Sequence, residues 1–551
     1  MTAQQRKSFI HGAGILAGAG VIIKIIGACF RIPLGNLIGG EGMGYYNAVY
    51  PVYTLLVVIA TTGIPIAISR LVAEHIAEDD HGGANRVFKV SMAVMLILGI
   101  AFFAVLFFGA EAITGVNESL KGASVAMKAI APALIFVPVM AAFRGYFQGM
   151  QNMKPTALSQ VIEQLFRVVC GLALAFFLAK MGLEYAAAGG TFGATAGAAA
   201  GVACMAVVYS KFRSSEPFRK RREEARQERD PRHRIATSQI LNQLALIALP
   251  ITLGAIVMPL MWNIDMLVVP RRLADAGFTA IEARSMYGQL TGFAESLMNL
   301  PKVLTQAIAI SMVPTIVRAW KEKDDAFLHY NVTLGLRFSL IIGLPCAVGF
   351  MVLSEPIMLL LYPTKPEDAA GAAPALFIFG IGVIFLSSID ALTSVLQGVG
   401  KQGIPLVNIA IGAVCKLGVT WLLTGIPVFN IKGAAIGTVV AYVVATVLNY
   451  RAVKTYTGAH FDFSLTFVRP VTAALIMGAV CAGVYYPLTH FTELPRFIVT
   501  VCAILAAAVC YVILLFATKT LEARELRQLP KGEQLYALYR KIRPARNVKL
   551  Q

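Results

Sequence analysis

Residues 143–167 read FRGYFQGMQNMKPTALSQVIEQLFR, and residues 392–416 read LTSVLQGVGKQGIPLVNIAIGAVCK. Laid over one another without a gap, Gln148-Gly149 falls on Gln397-Gly398 and Arg167 falls on Lys416. Pro155 lands one residue from Pro405. Each stretch is the end of one apolar run, a short polar turn, and the start of the next run. The echo therefore joins two helix pairs, one in each half of the chain, and working outward from it gives the organisation of the whole.

The runs are those of a membrane protein. Only 14% of the 551 residues are charged and 57% are hydrophobic, whereas a soluble domain carries about 25% charge to cover its surface. A soluble enzyme and a disordered chain are excluded, and so is a nucleic-acid-binding domain despite a net charge of +18. A transmembrane helix needs about 20 apolar residues. About fourteen such spans are read, at 9–33, 45–72, 87–110, 123–148, 157–180, 184–211, 238–270, 285–316, 331–354, 371–399, 404–424, 431–453, 466–488 and 496–517. No run alternates in the ten-residue segments of a barrel. The fold class expected is an all-α polytopic membrane protein.

Lys and Arg concentrate severalfold in the loops that face the cytoplasm if the N-terminus is inside, which places both termini there. The basic segment 211–234, KFRSSEPFRKRREEARQERDPRHR, separates two sets of six spans. Six is even, so the halves point the same way and repeat in parallel. The expected domains are an N-lobe over 1–212, a cytoplasmic linker over 213–237, a C-lobe over 238–456, two extra helices over 457–518 and a basic tail over 519–551. The linker and the tail read first as topology signals and solvated segments, and second as candidate contacts for anionic lipid or for a protein partner.

Ionisable groups inside spans cost about 2.5–3.5 kcal/mol each on insertion scales, and so face a cavity or pair internally. The first half offers Lys24, Arg31, Arg70, Glu74, Arg144, Glu163 and Arg167. The second offers Asp265, Glu295, Lys302, Arg337, Glu355, Asp390 and Lys416. Lys24 and Arg31 lie seven residues apart, two turns along one helix face. Glu163 and Arg167 stand at i and i+4, in the favourable order for a helical pair. Arg70 and Arg144 lie near cytoplasmic ends, where snorkelling competes with a cavity role. Asp265 has no basic neighbour on its own span before Arg271. It needs a proton, a cation or a lysine from another helix, and Lys416 is the candidate. Asp390 reads similarly.

Nothing resembles a catalyst. No GxxxxGK[ST], GxSxG or HExxH occurs. The eight cysteines all sit in apolar runs without a CxxC, and the seven histidines are scattered, so no metal or cofactor is expected.

Five strings in order along these spans carry a family resemblance. They are KSFIHGAGILAGAGVIIKIIGACFRIPLGNLIGGEGMGYYNAVYPVY, GIPIAISRLVAE at 63–74, the 143–167 stretch, WNIDMLVVPRRL at 262–273 and GFAESLMNLPKVLTQAIAISMVPTI at 292–316. The chain resembles the multidrug/oligosaccharidyl-lipid/polysaccharide (MOP) exporter superfamily, and within it the MurJ-type lipid II flippases and the stage V sporulation protein B group. The resemblance implies two six-helix lobes around a cation-lined cavity, alternating access, and a lipid-tail groove formed by the last two helices. It implies an undecaprenyl-diphosphate-linked cell-wall precursor as substrate, lipid II foremost, moved from the inner to the outer leaflet of the cell membrane. Contacts with cell-wall synthesis proteins follow as candidates.

Lys24 and Arg31 match the family's first-span arginines, with a one-residue shift between them. Arg70 stands later than the family's second-span base. Ser296 stands where the family has an arginine, and Glu295 stands for the adjacent acid. Asp265 resembles the seventh-span acid of a sodium site, and Lys416 is placed to substitute for the metal. The expected substrate-binding set is Lys24, Arg31, Arg70, Arg144, Arg167 and Lys416. The expected coupling or gating set is Asp265, Glu295, Glu163 and Asp390. The alternatives are a flippase for another polyprenyl-linked oligosaccharide, a cation-coupled multidrug exporter, and a non-transporting scaffold for cell-wall synthesis.

Overall fold

The computed structural model describes residues 3–214, 236–459, 461–518 and 520. Ahead of Phe30, side chains are described only for Gly20, Ile23, Ile26 and Gly27. Most of the 213–237 linker and nearly all of the 519–551 tail therefore lie outside the described residues, as does the side chain of Lys24.

Every described element is helical. In the first half these are α1 (Ala3–Thr61), α2 (Gly63–Ala77), α3 (His81–Gly115), α4 (Ala123–Ile130), α5 (Ala133–Gly149), α6 (Lys154–Leu178) and α7 (Leu183–Ser214). The second half holds α8 (Thr237–Ala255), α9 (Val257–Asp275), α10 (Ala280–Gly288), α11 (Glu295–Glu322), α12 (Asp325–Val352), α13 (Ser354–Leu361), α14 (Pro366–Gly398), α15 (Gly403–Thr424) and α16 (Asn430–Thr457). The last two are α17 (Arg469–Phe491) and α18 (Arg496–Ala517). Thirteen helices among the described residues are long and apolar enough to cross a membrane. The expected span 9–33 lies mostly ahead of Phe30, where the backbone is already helical.

The spans differ from expectation in several places, and those expected at 45–72 and 238–270 are each interrupted, at Thr62 and Ile256. No loop separates the first two, because the helix continues through Pro33 and breaks only at Gly39, with φ +66° and ψ −171°. Leu34 and Ile38 are buried on the near side of that break and Met43 on the far side, so packing keeps the chain helical up to Gly39, a glycine that takes the left-handed conformation without a Cβ penalty. The eighth span is longer than expected. It opens with α10 and a wide π-helical turn over Gln289–Ala294 before α11.

The internal echo extends well beyond the two strings. Nine described residues take positive φ, and eight of them form four pairs at like positions in the two halves. The pairs are Gly39 with Gly277, Asp79 with Lys323, Gln151 with Gly400, and Gly182 with Asn430. The hydrogen bonds repeat as well. After α5, Gln151 N–H donates to Gln148 and Asn152 N–H to Phe147, both at 2.9 Å. After α14, Gly400 N–H donates to Gln397 at 3.0 Å and Lys401 N–H to Leu396 at 2.8 Å. These are the paired bonds that close a helix on a left-handed residue. The turn after α2 has the same relation to the turn after α11. Asp80 and Asp324 each cap the following helix, accepting from Gly83 N–H at 2.7 Å and Phe327 N–H at 2.9 Å. The two halves are thus built on one plan of helices and turns.

The described residues group into two compact units. The first comprises Met1–Ser296 with Tyr362–Ala372 and Lys416–Gly437. Its core holds Ile68, Leu71 and Val72 of α2 against Phe88, Phe143, Tyr146 and Met205. In the same unit α7 lies directly on α6. A Cβ at Gly193 would strike the Arg167 carbonyl, and one at Gly197 the Glu163 carbonyl. That close approach seats the backbone of the two charged residues. The second unit comprises Leu297–Leu361, Ala373–Cys415 and Thr438–Gln551. Its core packs Leu336, Leu340 and Leu344 of α12 with Ala474, Met477 and Cys481 of α17 and Tyr511 of α18. The Tyr511 hydroxyl donates to the Ile341 carbonyl at 2.9 Å.

The left-handed turns make a direct prediction. A Cβ at Gly400 would have no atom within 4 Å, so Gly400→Ala costs only the backbone term, about 1–2 kcal/mol. The reciprocal change Gln151→Gly relieves a similar strain. Thermal unfolding in detergent should place the midpoint of Gly400→Ala below wild type and that of Gln151→Gly above it. Equal midpoints would count against the repeated turn.

Candidate cation cluster and buried ion pair

Three of the expected residues meet within the first unit. Arg144 comes from the last turns of α5, and Glu163 and Arg167 from the middle of α6. The Arg144 Nη2 donates to Glu163 Oε2 at 3.0 Å, and the Arg167 Nη2 donates to Glu163 Oε1 at 3.2 Å. The Arg144 Nε donates to the Ser159 hydroxyl at 3.0 Å, which in turn donates to the Thr156 carbonyl at 2.9 Å. Two cations share one anion, so the cluster carries a surplus positive charge. The three side chains keep 16%, 16% and 25% of their surface exposed, in the order Arg144, Glu163 and Arg167. Arg167 is also within electrostatic reach of Tyr46, Tyr50 and Tyr53. The first of these donates its hydroxyl proton to Tyr50 at 2.8 Å.

Lys416, the repeat counterpart of Arg167, pairs differently. Its ammonium donates to Asp265 Oδ2 of α9, and the side chains are only 4% and 10% exposed. The second carboxylate oxygen has no hydrogen-bond partner among the described residues, so the ammonium carries the compensation of that charge. Asn263, two residues earlier, donates to the carbonyls of Pro51 at 2.9 Å and Pro259 at 2.8 Å, fixing α9 against α1. The same repeat position thus gives a half-open cluster in one half and a sealed one-to-one pair in the other.

The remaining expected residues are distributed. Arg31 donates to the Ser296 hydroxyl at 2.8 Å, so Ser296 is held by the arginine of the first span. Glu295 is half-buried beside it. Arg70 pairs with Glu74 at 2.9 Å on an exposed face, with 65% and 52% of the side chains in the open. Such pairs are worth about 0–1 kcal/mol. In the second unit Asp390 accepts from the Thr305 hydroxyl at 2.9 Å. Among the described residues no group of three His, Cys, Asp or Glu side chains could hold a metal ion.

Sequence reading missed a second polar cluster in the first unit. Arg284 donates to Glu41 at 2.6 Å and to the Ser119 carbonyl at 2.7 Å, and lies 4.2 Å over the Tyr45 ring. Asp368 accepts from Gly40 N–H at 2.7 Å and from Ser285 and Gln289, each at 3.0 Å. Beside it, the Tyr362 ring stacks on Phe293 at 4.0 Å. Burial pushes the Tyr362 hydroxyl up to about 12, and Arg31 pulls it the other way. These residues fall in expected loops and span ends, where charge carries no cost and so gives no signal.

Residues 9–320 match the family described as polysaccharide biosynthesis protein. The chain is 28% identical over 532 residues to stage V sporulation protein B of Bacillus subtilis (strain 168), covering 95% of this chain and 98% of that protein. It is 26% identical over 482 residues to the lipid II flippase MurJ of the same organism, covering 86% of each. Among solved structures, a lipid II flippase MurJ in an inward closed conformation superposes with a TM-score of 0.67. It is 16% identical and covers 91% of this chain and 97% of that one. That likeness shows the fold, a helical bundle like that of the solved structure.

The sealed pair gives the prediction here. Removing one partner of a buried ion pair costs about 3–5 kcal/mol, whereas replacing both by neutral groups is often near neutral. Asp265→Asn and Lys416→Met should each lower the unfolding midpoint sharply, and the double variant should recover most of the loss. Additive losses would mean that the two side chains are not coupled.

Proposed function

This chain belongs to the polysaccharide biosynthesis protein family, and from that premise we propose that it is a flippase for an undecaprenyl-diphosphate-linked sugar. Lipid II, the peptidoglycan precursor, is the favoured substrate. The observation that carries the reading is the Arg144–Glu163–Arg167 cluster. It is a surplus of guanidinium held half-open inside helices that the bilayer surrounds. A diphosphate crossing the hydrocarbon needs fixed donors to replace its water, and arginine forks suit phosphoryl oxygens. The polyprenyl tail needs no such help and stays in lipid.

In this reading the two repeats, 1–212 and 238–456, alternate between inward and outward access, and 457–518 guides the tail. Both termini are cytoplasmic, and the chain sits in the cell membrane as a transporter rather than an enzyme. Arg31 adds a cation from α1, and Arg70 attracts the headgroup at the cytoplasmic face; Lys24, whose side chain lies outside the described residues, is a substrate-binding candidate from the sequence alone. Asp265, Glu295 and Asp390 are the coupling or gating acids, with Lys416 joining the cationic set when its pair opens. The membrane potential biases the cycle, since each charge moved is worth about 2.3 kcal/mol per 100 mV.

A second reading is transport of a different polyprenyl-linked oligosaccharide, since identities of 28% and 26% to two differently named relatives do not single out one headgroup. The remaining alternatives, drug exporter and scaffold, both predict that the arginine cluster is dispensable.

Arg144→Ala and Arg167→Ala each remove one or two charge-assisted hydrogen bonds, worth about 1.5–3 kcal/mol apiece. Each should slow translocation of fluorescent lipid II in proteoliposomes by about tenfold or more. Arg318→Ala, which breaks an exposed pair with Glu322, should leave the rate within about twofold. Full activity in both cluster variants would rule out the cationic site.

A further inference from the structure

We infer that Glu163 is an internal stand-in for the diphosphate, holding the two arginines in the empty protein and competing with the substrate for them. The inference rests on the diphosphate reading above and adds a role for the one acid in the cluster.

Four observations carry it. First, Glu163 presents two oxygens on one centre, and each takes a single N–H from a different guanidinium, at 3.0 and 3.2 Å. A phosphoryl group offers the same arrangement with more charge. Second, the carboxylate neutralises only one of the two cations it touches, so a dianion or trianion is the better partner for the pair. Third, the cluster is not sealed. Its side chains keep 16–25% exposure, against 4% and 10% in the Lys416–Asp265 pair at the equivalent point of the other half. Fourth, the two arginines are not equally committed. Arg144 has its Nε tied to Ser159, whereas the Arg167 Nε is buried without a hydrogen-bond partner.

The backbone of α6 is seated at both Glu163 and Arg167 by Gly197 and Gly193 of α7. Exchange of carboxylate for phosphate therefore proceeds by side-chain rotation on a fixed helix. Without substrate, Glu163 holds together two guanidiniums that would otherwise repel each other. When the headgroup arrives the carboxylate turns away. On the far side of the cycle it returns to the same donors and displaces the product. Glu163 is in this sense a positioning and release residue, and it lowers affinity in order to raise turnover.

The test separates binding from turnover. Inorganic diphosphate would be titrated into the purified full chain in lipid nanodiscs, for wild type, Glu163→Gln and Glu163→Asp. Translocation of fluorescent lipid II would be followed at saturating substrate for the same proteins. The expected result is that Glu163→Gln binds diphosphate about tenfold more tightly and turns over more slowly by a similar factor. Glu163→Asp, which keeps the competing charge on a shorter side chain, should fall between wild type and Glu163→Gln in both. If Glu163→Gln fails to fold by thermal unfolding, Glu163→Ala carries the same comparison.

Unchanged or weaker diphosphate binding by the neutral variants, with binding by wild type intact, would overturn the inference and leave the flippase reading standing. No diphosphate binding by wild type would remove both.

Discussion

Ionised side chains inside a membrane bundle must find their counter-charges in the protein, because hydrocarbon supplies none. The described charges within the spans meet that constraint in distinct ways. Lys416 and Asp265 satisfy it by closing on each other until almost nothing is exposed. Arg144 and Arg167 satisfy it only in part, sharing Glu163 and retaining one positive charge between them. A group left partly compensated in a low-dielectric setting is costly to hold, and a site that binds an anion gains by that cost being relieved on binding. The helix packing serves this arrangement. Gly193 and Gly197 let α7 approach the α6 backbone at the two charged residues, and the core around Phe143 and Tyr146 fixes the last turns of α5, which carry Arg144.

The internal repeat gives the contrast its meaning. Arg167 and Lys416 occupy one position of one plan, each sixteen residues beyond the left-handed residue, Gln151 or Gly400, that helps to close the preceding turn. Arg167 finds its acid one turn away on its own helix, and Lys416 finds its acid on α9. An intrahelical pair leaves the outer face of the guanidinium available, while an interhelical pair spends the ammonium on holding two helices together. One plan thus holds a partly exposed arginine cluster in the first half and a sealed ion pair in the second.

Much of the helical fold was legible because its signal is additive over some twenty residues. The last two spans, expected at 466–488 and 496–517, are helices at Ser464–Phe491 and Arg496–Ala517. The Lys416–Asp265 pairing was legible for a similar reason, since two lone charges of opposite sign in apolar runs have few other ways to be accommodated. The break at Gly39 was not legible. A loop and a single left-handed residue look alike in a glycine-rich stretch, and tertiary packing of Leu34, Ile38 and Met43 decides between them. Nor was the Arg144–Glu163 contact, because position near a span end reads as snorkelling until the neighbouring helix is in place. The tie of Arg31 to Ser296 spans 265 residues, and no local pattern announces it.

The central claim is that fixed cations within this helix bundle carry a diphosphate headgroup across the membrane. The most direct measurement uses proteoliposomes of the wild-type chain with fluorescent lipid II in one leaflet, followed by protection of the label from an impermeant quencher. The account predicts protein-dependent translocation that an excess of a short isoprenyl diphosphate suppresses and the corresponding alcohol does not. No acceleration over protein-free vesicles, under an imposed potential and with proton or sodium gradients, would contradict it for lipid II. Acceleration insensitive to the competing diphosphate would contradict the cationic mechanism itself.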